Sequence, residues 1–173
     1  VDSEAALKAA VEKAATGDTI KLTDSFNLTA SITMPSSSDK TKALTLDLNG
    51  NTLDTADKTI TASGKLTVMD STSGGKVTGE GYQVFKINSN SSLTLDGVSV
   101  TSTGSFAIYT GNLSNINLTI TDSDITGSGY GINVGYGHVV VNSGTIKGGD
   151  GSGNYGIRFA SDKATSENTS LTI

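Results

Sequence analysis

The chain has 173 residues and a formal net charge of −5, with 11 lysines and a single arginine. Gly, Ser, Thr and Asn supply 81 of these residues, a composition that excludes a helical bundle and favours strands joined by tight turns. The absence of cysteine excludes disulfides and thiolate metal sites, and the absence of a basic cluster argues against nucleic-acid binding. Apolar runs of a few residues are too short for membrane insertion.

Residues 1–17 are the one stretch with a convincing helical period. Apolar side chains recur there at i, i+3, i+4 and i+7, on one face of a helix: Leu7, Ala10, Val11 and Ala14. Asp2 or Ser3 can cap the first turn, and Gly17 follows the last one. The helix is short and one-sided, so we expect it to lie against another part of the fold.

From residue 18 to residue 173 the chain repeats short strands in three rows. The first row consists of apolar-x-apolar triplets whose starts lie 22, 27, 25, 21 and 32 residues apart: Leu44-Thr45-Leu46, Leu66-Thr67-Val68, Leu93-Thr94-Leu95, Leu118-Thr119-Ile120, Val139-Val140-Val141 and Leu171-Thr172-Ile173. The second row begins with aromatic residues spaced by 24 or 25: Tyr82, Phe106, Tyr130 and Tyr155. The third row is Val77, Val98 with Val100, Ile125 and Ile146.

Three strands in each turn of roughly 24 residues are typical of a parallel β-solenoid. Each coil has too few inward apolar residues to form its own core, so stacked coils share one. We predict an all-β solenoid of six to seven coils over residues 18–173, with helix 1–17 covering its first coil. Because the chain stops inside a repeat strand, we expect further coils of a longer protein, or a partner, to cover the last coil.

The run from Ala5 to Leu22, AALKAAVEKAATGDTIKL, resembles the capping helix and first strand of right-handed parallel β-helix proteins of the pectin-lyase-like superfamily. The later coils resemble those of its bacterial surface and adhesin-type members. The resemblance implies a right-handed helix, an extracellular or cell-surface location and contact with polysaccharide. It does not by itself imply catalysis, because fold and activity separate.

Similar lyases and hydrolases bring several carboxylates together on one outward face. The acidic residues here are instead spread along the starts of turns, where Asp and Asn shape the backbone. We therefore assign no catalytic residue and no required cofactor. Asp122 and Asp124 form the tightest acidic pair and are the candidate calcium ligands.

Aligning the second row places Phe85, Tyr109, Asn133 and Arg158 side by side on successive coils, facing outward, with Tyr136 nearby. Exposed aromatic rings along a rod can pack against sugars, and a guanidinium forks onto a carboxylate or sulfate. The row Tyr82, Phe106, Tyr130 and Tyr155 is interpreted as a structural stack at a corner of the coil.

These observations favour a non-catalytic, adhesin-like module at the cell surface, whose partner is a polysaccharide or a host-surface glycan or protein. Two alternatives remain. The chain can be a fragment of a polysaccharide lyase or glycoside hydrolase, or it can be a structural stalk that holds another domain away from the cell.

Overall fold

The computed structural model describes residues 1–36, 38–111, 113–160 and 169–173. It is a right-handed parallel β-helix of about six coils with one N-terminal helix, as the repeat and the resemblance predict. Helix α1 is Glu4–Lys13. Nineteen strands follow among the described residues, three in each coil and one after the sixth coil.

The first three coils contain β1 (Asp18–Lys21), β2 (Phe26–Asn27), β3 (Ile32–Met34), β4 (Ala43–Asp47), β5 (Thr52–Asp54), β6 (Ile60–Ala62), β7 (Lys65–Met69), β8 (Lys76–Gly79) and β9 (Gln83–Ile87). The later coils contain β10 (Ser92–Asp96), β11 (Ser99–Ser102), β12 (Phe106–Tyr109), β13 (Ile116–Thr121), β14 (Ser123–Gly127), β15 (Ile132–Val134), β16 (Gly137–Val141), β17 (Gly144–Lys147), β18 (Ile157–Phe159) and β19 (Ser170–Thr172).

Every third strand pairs in parallel, which produces three sheets. Sheet 1 has seven strands, from β1 through β4, β7, β10, β13 and β16 to β19. Sheet 2 runs from β2 to β17 and sheet 3 from β3 to β18, each with six strands. The apolar triplets of sheet 1 pair in the predicted register, because Leu44, Leu66, Leu93 and Leu118 are successive partners.

One continuous core fills the solenoid. The inward residues of the fourth coil are all buried: Leu93, Leu95, Val98, Val100 and Ile108. Between the inward positions of sheet 1 lies an outward column that is threonine except at Val140: Thr19, Thr45, Thr67, Thr94, Thr119, Val140 and Thr172. Threonine suits this position because a β-branched side chain fits the solvent face of a strand.

Helix α1 closes the N-terminal end of the core. The Ser3 side chain accepts a hydrogen bond from the amide of Ala6 and caps the helix, while Leu7 and Val11 are buried. The Glu4 carboxylate accepts hydrogen bonds from the Thr29 amide at 2.9 Å, the Thr29 hydroxyl at 2.6 Å and the Ala30 amide at 3.1 Å. The Glu4 carboxylate therefore ties α1 to the turn before β3.

Replacing Glu4 by Gln is expected to lower thermal stability at pH 7 and to have a much smaller effect at pH 2.5. The Lys8 ammonium and the Thr29 and Ala30 donors lower the pKa of Glu4 from 4.5 to about 2. A lowered folded-state pKa stabilises the protein above pH 4.5, and that stabilisation is lost as the pH falls towards 2. The difference in melting temperature between wild type and E4Q, measured at both pH values, tests this expectation.

Glu12→Gln is the matched control, since Glu12 is exposed on the same helix. We expect E12Q to match the wild type at both pH values. A difference between wild type and E4Q that stays constant from pH 7 to pH 2.5 would show that the charge of Glu4 is not what holds the helix.

Candidate ligand-binding surface

The outward face of sheet 3 carries most of the predicted site residues. Tyr109 pairs with Asn133, and Asn133 pairs with Arg158, as the alignment predicts. On its other side, however, Tyr109 pairs with Lys86, so the placement of Phe85 in this column is wrong. The full outward column is Thr33, Thr61, Lys86, Tyr109, Asn133 and Arg158.

Phe85 lies in the core, where it is 0% exposed and pairs with Ile60 and Ile108. The error has a simple cause. The alignment matched Tyr82 to Phe106 by residue type, whereas the strand partner of Phe106 is Gln83. Because side chains alternate along a strand, a slip of one residue moves a side chain to the other face.

Five aromatic rings form what we call the aromatic ladder: Tyr82, Phe106, Tyr130 and Tyr155 at the corner between sheets 2 and 3, and Tyr109 from the outward face of sheet 3. The rings of Phe106 and Tyr130 are stacked with centroids 5.5 Å apart, and those of Tyr130 and Tyr155 are stacked at 5.9 Å. Tyr82 meets Phe106 edge to face at 4.9 Å. The predicted stack is therefore present, and Tyr109 joins it by stacking on Phe106.

The two ends of the ladder are exposed and its centre is not. Tyr82 is 59% exposed and Tyr155 is 55% exposed, whereas Phe106 is 7% exposed. Tyr130 lies between two parallel rings, so its faces are partly covered. The ladder thus offers ring edges and hydroxyl groups along its length and larger aromatic surfaces at Tyr82 and Tyr155.

Glycines make this corner tight enough for the rings to stack. A Cβ at Gly104 would overlap the carbonyl oxygens of Glu80 and Gly81 in the preceding coil. A Cβ at Gly127 would overlap the carbonyl oxygen of Tyr130 across the turn. The backbone therefore approaches itself closely at both positions, which holds the aromatic residues that follow, Phe106 and Tyr130, at the spacing of the coils.

Arg158 supplies the positive charge of this surface. Its guanidinium carbon lies 5.2 Å from the centroid of the Tyr130 ring, and its Nη1 donates a hydrogen bond to the Tyr130 hydroxyl at 3.1 Å. Within the described ranges it has no carboxylate partner, and the six strands of sheet 3 contain Lys86 and Arg158 but no Asp or Glu. A guanidinium has five N–H donors, so most of them are left for a ligand.

Asn133 lies between Tyr109 and Arg158 in the outward column, yet it is only 5% exposed. Its Oδ1 is buried and has no hydrogen-bond partner among the residues that the structure describes. A buried acceptor without a partner costs about 1–3 kcal/mol, so a donor brought by a ligand or water would be favourable here. Tyr136 follows β15, is half-buried, and makes no ring contact in the described part of the chain.

The acidic residues of the turns between sheets 1 and 2 serve mainly as hydrogen-bond acceptors. The Asp70 carboxylate accepts hydrogen bonds from the amides of Gly50 at 2.7 Å and Gly75 at 2.6 Å. Burial raises the pKa of Asp70, but these hydrogen bonds outweigh burial and hold the pKa below its ordinary value. The Asp47 pKa is lowered in the same way, by hydrogen bonds from Ser71 and Asn49 that outweigh burial.

Of the candidate calcium ligands, Asp122 lies between β13 and β14 in the fifth coil, and Asp124 lies within β14. Asp122 has a left-handed backbone with φ of 46°, and its carboxylate accepts a hydrogen bond from the Ser143 hydroxyl at 2.6 Å. The Asp124 carboxylate accepts one from the Thr145 hydroxyl. Among the described residues, no three His, Cys, Asp or Glu side chains are grouped as a metal site. Each carboxylate thus links its coil to the following one.

Comparison of the chain with protein-family models, curated proteins and solved structures finds no match. In the described ranges, no helix has the length and apolar character needed to cross a membrane. The aromatic ladder and the outward column of sheet 3 beside it are therefore the features that indicate a function.

Proposed function

We propose that this chain is a non-catalytic, carbohydrate-binding module of an adhesin-like protein, secreted or held at a bacterial cell surface. The observation that carries the proposal is the aromatic ladder with Arg158 against its Tyr130 ring. The proposal also agrees with the resemblance to surface members of the pectin-lyase-like superfamily. Its ligand is a polysaccharide or a cell-surface glycan.

The physical basis of the proposal is preorganisation. A row of rings held by a solenoid loses little conformational freedom when a ligand binds, so most of the contact energy is retained as affinity. Tyrosine is suited to sugars because its ring packs against C–H groups and its hydroxyl forms hydrogen bonds. More than half of Tyr82 and Tyr155 is exposed in a chain whose other large apolar residues are mostly buried.

The charges of sheet 3 favour an acidic sugar. Arg158 has no acidic partner among the described residues, although the chain as a whole carries a net charge of −5. A carboxylate or sulfate on the ligand can accept two parallel hydrogen bonds from one guanidinium. Lys86, three coils away in the same column, adds a second positive charge.

Binding to a panel of neutral and acidic polysaccharides, measured by affinity electrophoresis and calorimetry, tests the proposal. We expect an acidic polymer to bind, and the double variant Tyr82→Ala with Tyr155→Ala to weaken its binding about tenfold or more, because two ring contacts are lost. Arg158→Gln should weaken the binding of acidic polymers about tenfold and leave the binding of neutral polymers unchanged. Lys65→Gln is the control, because Lys65 is exposed on sheet 1, away from the ladder, and it should bind like the wild type.

Three outcomes would contradict the proposal. Undiminished binding by the double variant would exclude the aromatic ladder as the site. Cleavage of a polymer, seen as new reducing or unsaturated ends with calcium added, would favour a hydrolase or lyase. Absence of binding across the whole panel, together with a rigid rod in solution scattering, would favour a stalk.

A further inference from the structure

The side chains of this protein that an oxidant can reach are mainly tyrosines. Cysteine and methionine are the usual targets of oxidation in proteins. The chain has no cysteine and no tryptophan, and of its two methionines Met34 is buried and Met69 is half-buried. Of its five tyrosines, Tyr82 and Tyr155 are more than half exposed. A one-electron oxidant that meets this surface therefore reacts first with a phenol.

Tyr82 and Tyr109 place their phenolic hydroxyls against each other. Their ring centroids are 5.3 Å apart, and the ring planes meet at 81°. Burial and the adjacent Tyr109 hydroxyl, with which Tyr82 shares a hydrogen bond, raise the pKa of Tyr82. In a tyrosine ring each Cε is bonded to the carbon that carries the hydroxyl, so this contact brings a Cε of one ring near a Cε of the other. These carbons share the unpaired electron when a phenol becomes a phenoxyl radical.

The neighbouring tyrosines of the ladder are less suited to coupling. Tyr130 and Tyr155 are stacked at an interplanar angle of 13°, so their faces rather than their edges are in contact. The Tyr130 hydroxyl accepts a hydrogen bond from Nη1 of Arg158 at 3.1 Å. Removing an electron from Tyr130 beside this guanidinium is unfavourable, because like charges repel. Oxidation is therefore favoured at the other end of the ladder.

The fold holds Tyr82 and Tyr109 together although they belong to different coils. Tyr82 precedes β9 in the third coil, and Tyr109 is the last residue of β12 in the fourth. Strands β9 and β12 are neighbours in sheet 3, so the two rings cannot separate. Two groups held in this way react with a high effective concentration. Because Tyr82 is 59% exposed, its ring has room to turn from an edge-to-face contact into position for a bond.

We propose that Tyr82 and Tyr109 form an oxidative modification site, at which hydrogen peroxide and an enzyme of the haem-peroxidase class couple the two rings into a dityrosine crosslink. Each phenol loses its O–H hydrogen to the oxidant, which leaves two phenoxyl radicals and reduces the peroxide to two molecules of water. The radicals combine in a Cε–Cε bond. The hydrogen on each of these carbons then moves to the phenol oxygen, so both hydroxyls are restored and the protein has lost two hydrogen atoms.

This crosslink joins the third coil to the fourth in a protein that has no cysteine. Tyr82 and Tyr109 are 27 residues apart, and a covalent link across such a loop stabilises the fold by restricting the unfolded chain. For a chain of this size we expect the melting temperature to rise by about 5–10 °C. The crosslink does not depend on the proposed binding of sugars.

The experiment treats dilute protein with hydrogen peroxide and a haem peroxidase and then isolates the monomer. We expect the blue fluorescence of dityrosine, an intact mass lower by two hydrogens, and a digest in which the peptides of Tyr82 and Tyr109 are joined. Tyr82→Phe and Tyr109→Phe should each abolish these signals, since phenylalanine keeps the ring and lacks the hydroxyl. Tyr155→Phe is the matched control, because it removes a phenol of similar exposure, and it should keep the crosslink.

Four results would overturn the proposal. One is a monomer without dityrosine under conditions that couple free tyrosine, and another is a dityrosine signal in the monomer that survives in both Tyr82→Phe and Tyr109→Phe. The third is dityrosine confined to covalent dimers, which would show that the exposed rings react between molecules. The fourth is a crosslinked monomer that melts at the temperature of the untreated protein, because a link between two coils must restrict the unfolded chain.

Discussion

Replacing Phe85 by Ala is expected to lower the free energy of unfolding by about 3–5 kcal/mol, the usual cost of removing a buried phenylalanine. Phe85 is 0% exposed and is flanked in its inward column by Ile60 and Ile108. The coils above and below are fixed by backbone hydrogen bonds, so they cannot collapse fully into the cavity. Denaturant unfolding followed by circular dichroism measures the change.

Tyr82→Ala is the control, because it removes an aromatic ring of similar size from the surface of the same coil. We expect it to change stability by about 1 kcal/mol or less, the value of an exposed ring contact. Phe85→Leu should recover most of the loss, since it refills the core. A Phe85→Ala variant as stable as Tyr82→Ala would contradict the register of sheet 3.

The difference between sheets 1 and 3 explains how much of the fold could be predicted from the sequence. In sheet 1 each triplet except Val139-Val140-Val141 has a threonine between two apolar residues, and only one register places both apolar residues inside. The unequal spacings of 21 to 32 residues did not matter, because the triplets themselves fixed the alignment. The coil period and the sheet 1 pairing followed from these triplets.

Sheet 3 lacks that regularity. Val84 and Phe85 are both buried, and so are Phe106, Ala107 and Ile108 in succession, so alternation fails where the strand leaves the corner. Matching by aromatic type then displaced β9 by one residue. The correct register is indicated by apolar residues spaced two apart in each strand. Ile60 and Ala62 in β6 pair with Phe85 and Ile87 in β9.

The exposure of the ladder could not be predicted from the sequence for a related reason. Whether a ring at a corner lies inside or outside depends on the backbone path between two sheets, and periodicity describes only the strands. Tyr82, Phe106 and Tyr155 occupy similar places in the repeat but differ from 7% to 59% in exposure. The role of the aspartates in the turns could be predicted more readily, because Asp at the start of a turn commonly accepts backbone hydrogen bonds.

Replacing Gly127 by Ala is expected to lower both stability and ligand affinity. The new Cβ would overlap the Tyr130 carbonyl oxygen and lie 2.9 Å from the carbonyl oxygen of Ser105, so the corner must open. We expect a loss of about 1–3 kcal/mol in the free energy of unfolding, the usual cost of overpacking. Moving Tyr130 also disturbs its stacking on Phe106 and Tyr155, so binding to the aromatic ladder should weaken.

Gly129→Ala is the matched control at the same corner. Its nearest neighbours would be the Oγ and the carbonyl oxygen of Ser105, at 3.2 and 3.3 Å, and the serine side chain can rotate away. We expect a change within about 1 kcal/mol and wild-type binding. Equal stability of the two variants would contradict the close backbone approach at Gly127. Full ligand affinity in a destabilised G127A protein would mean that binding does not depend on the spacing of the rings, and the preorganised ladder would lose its role in the proposed site.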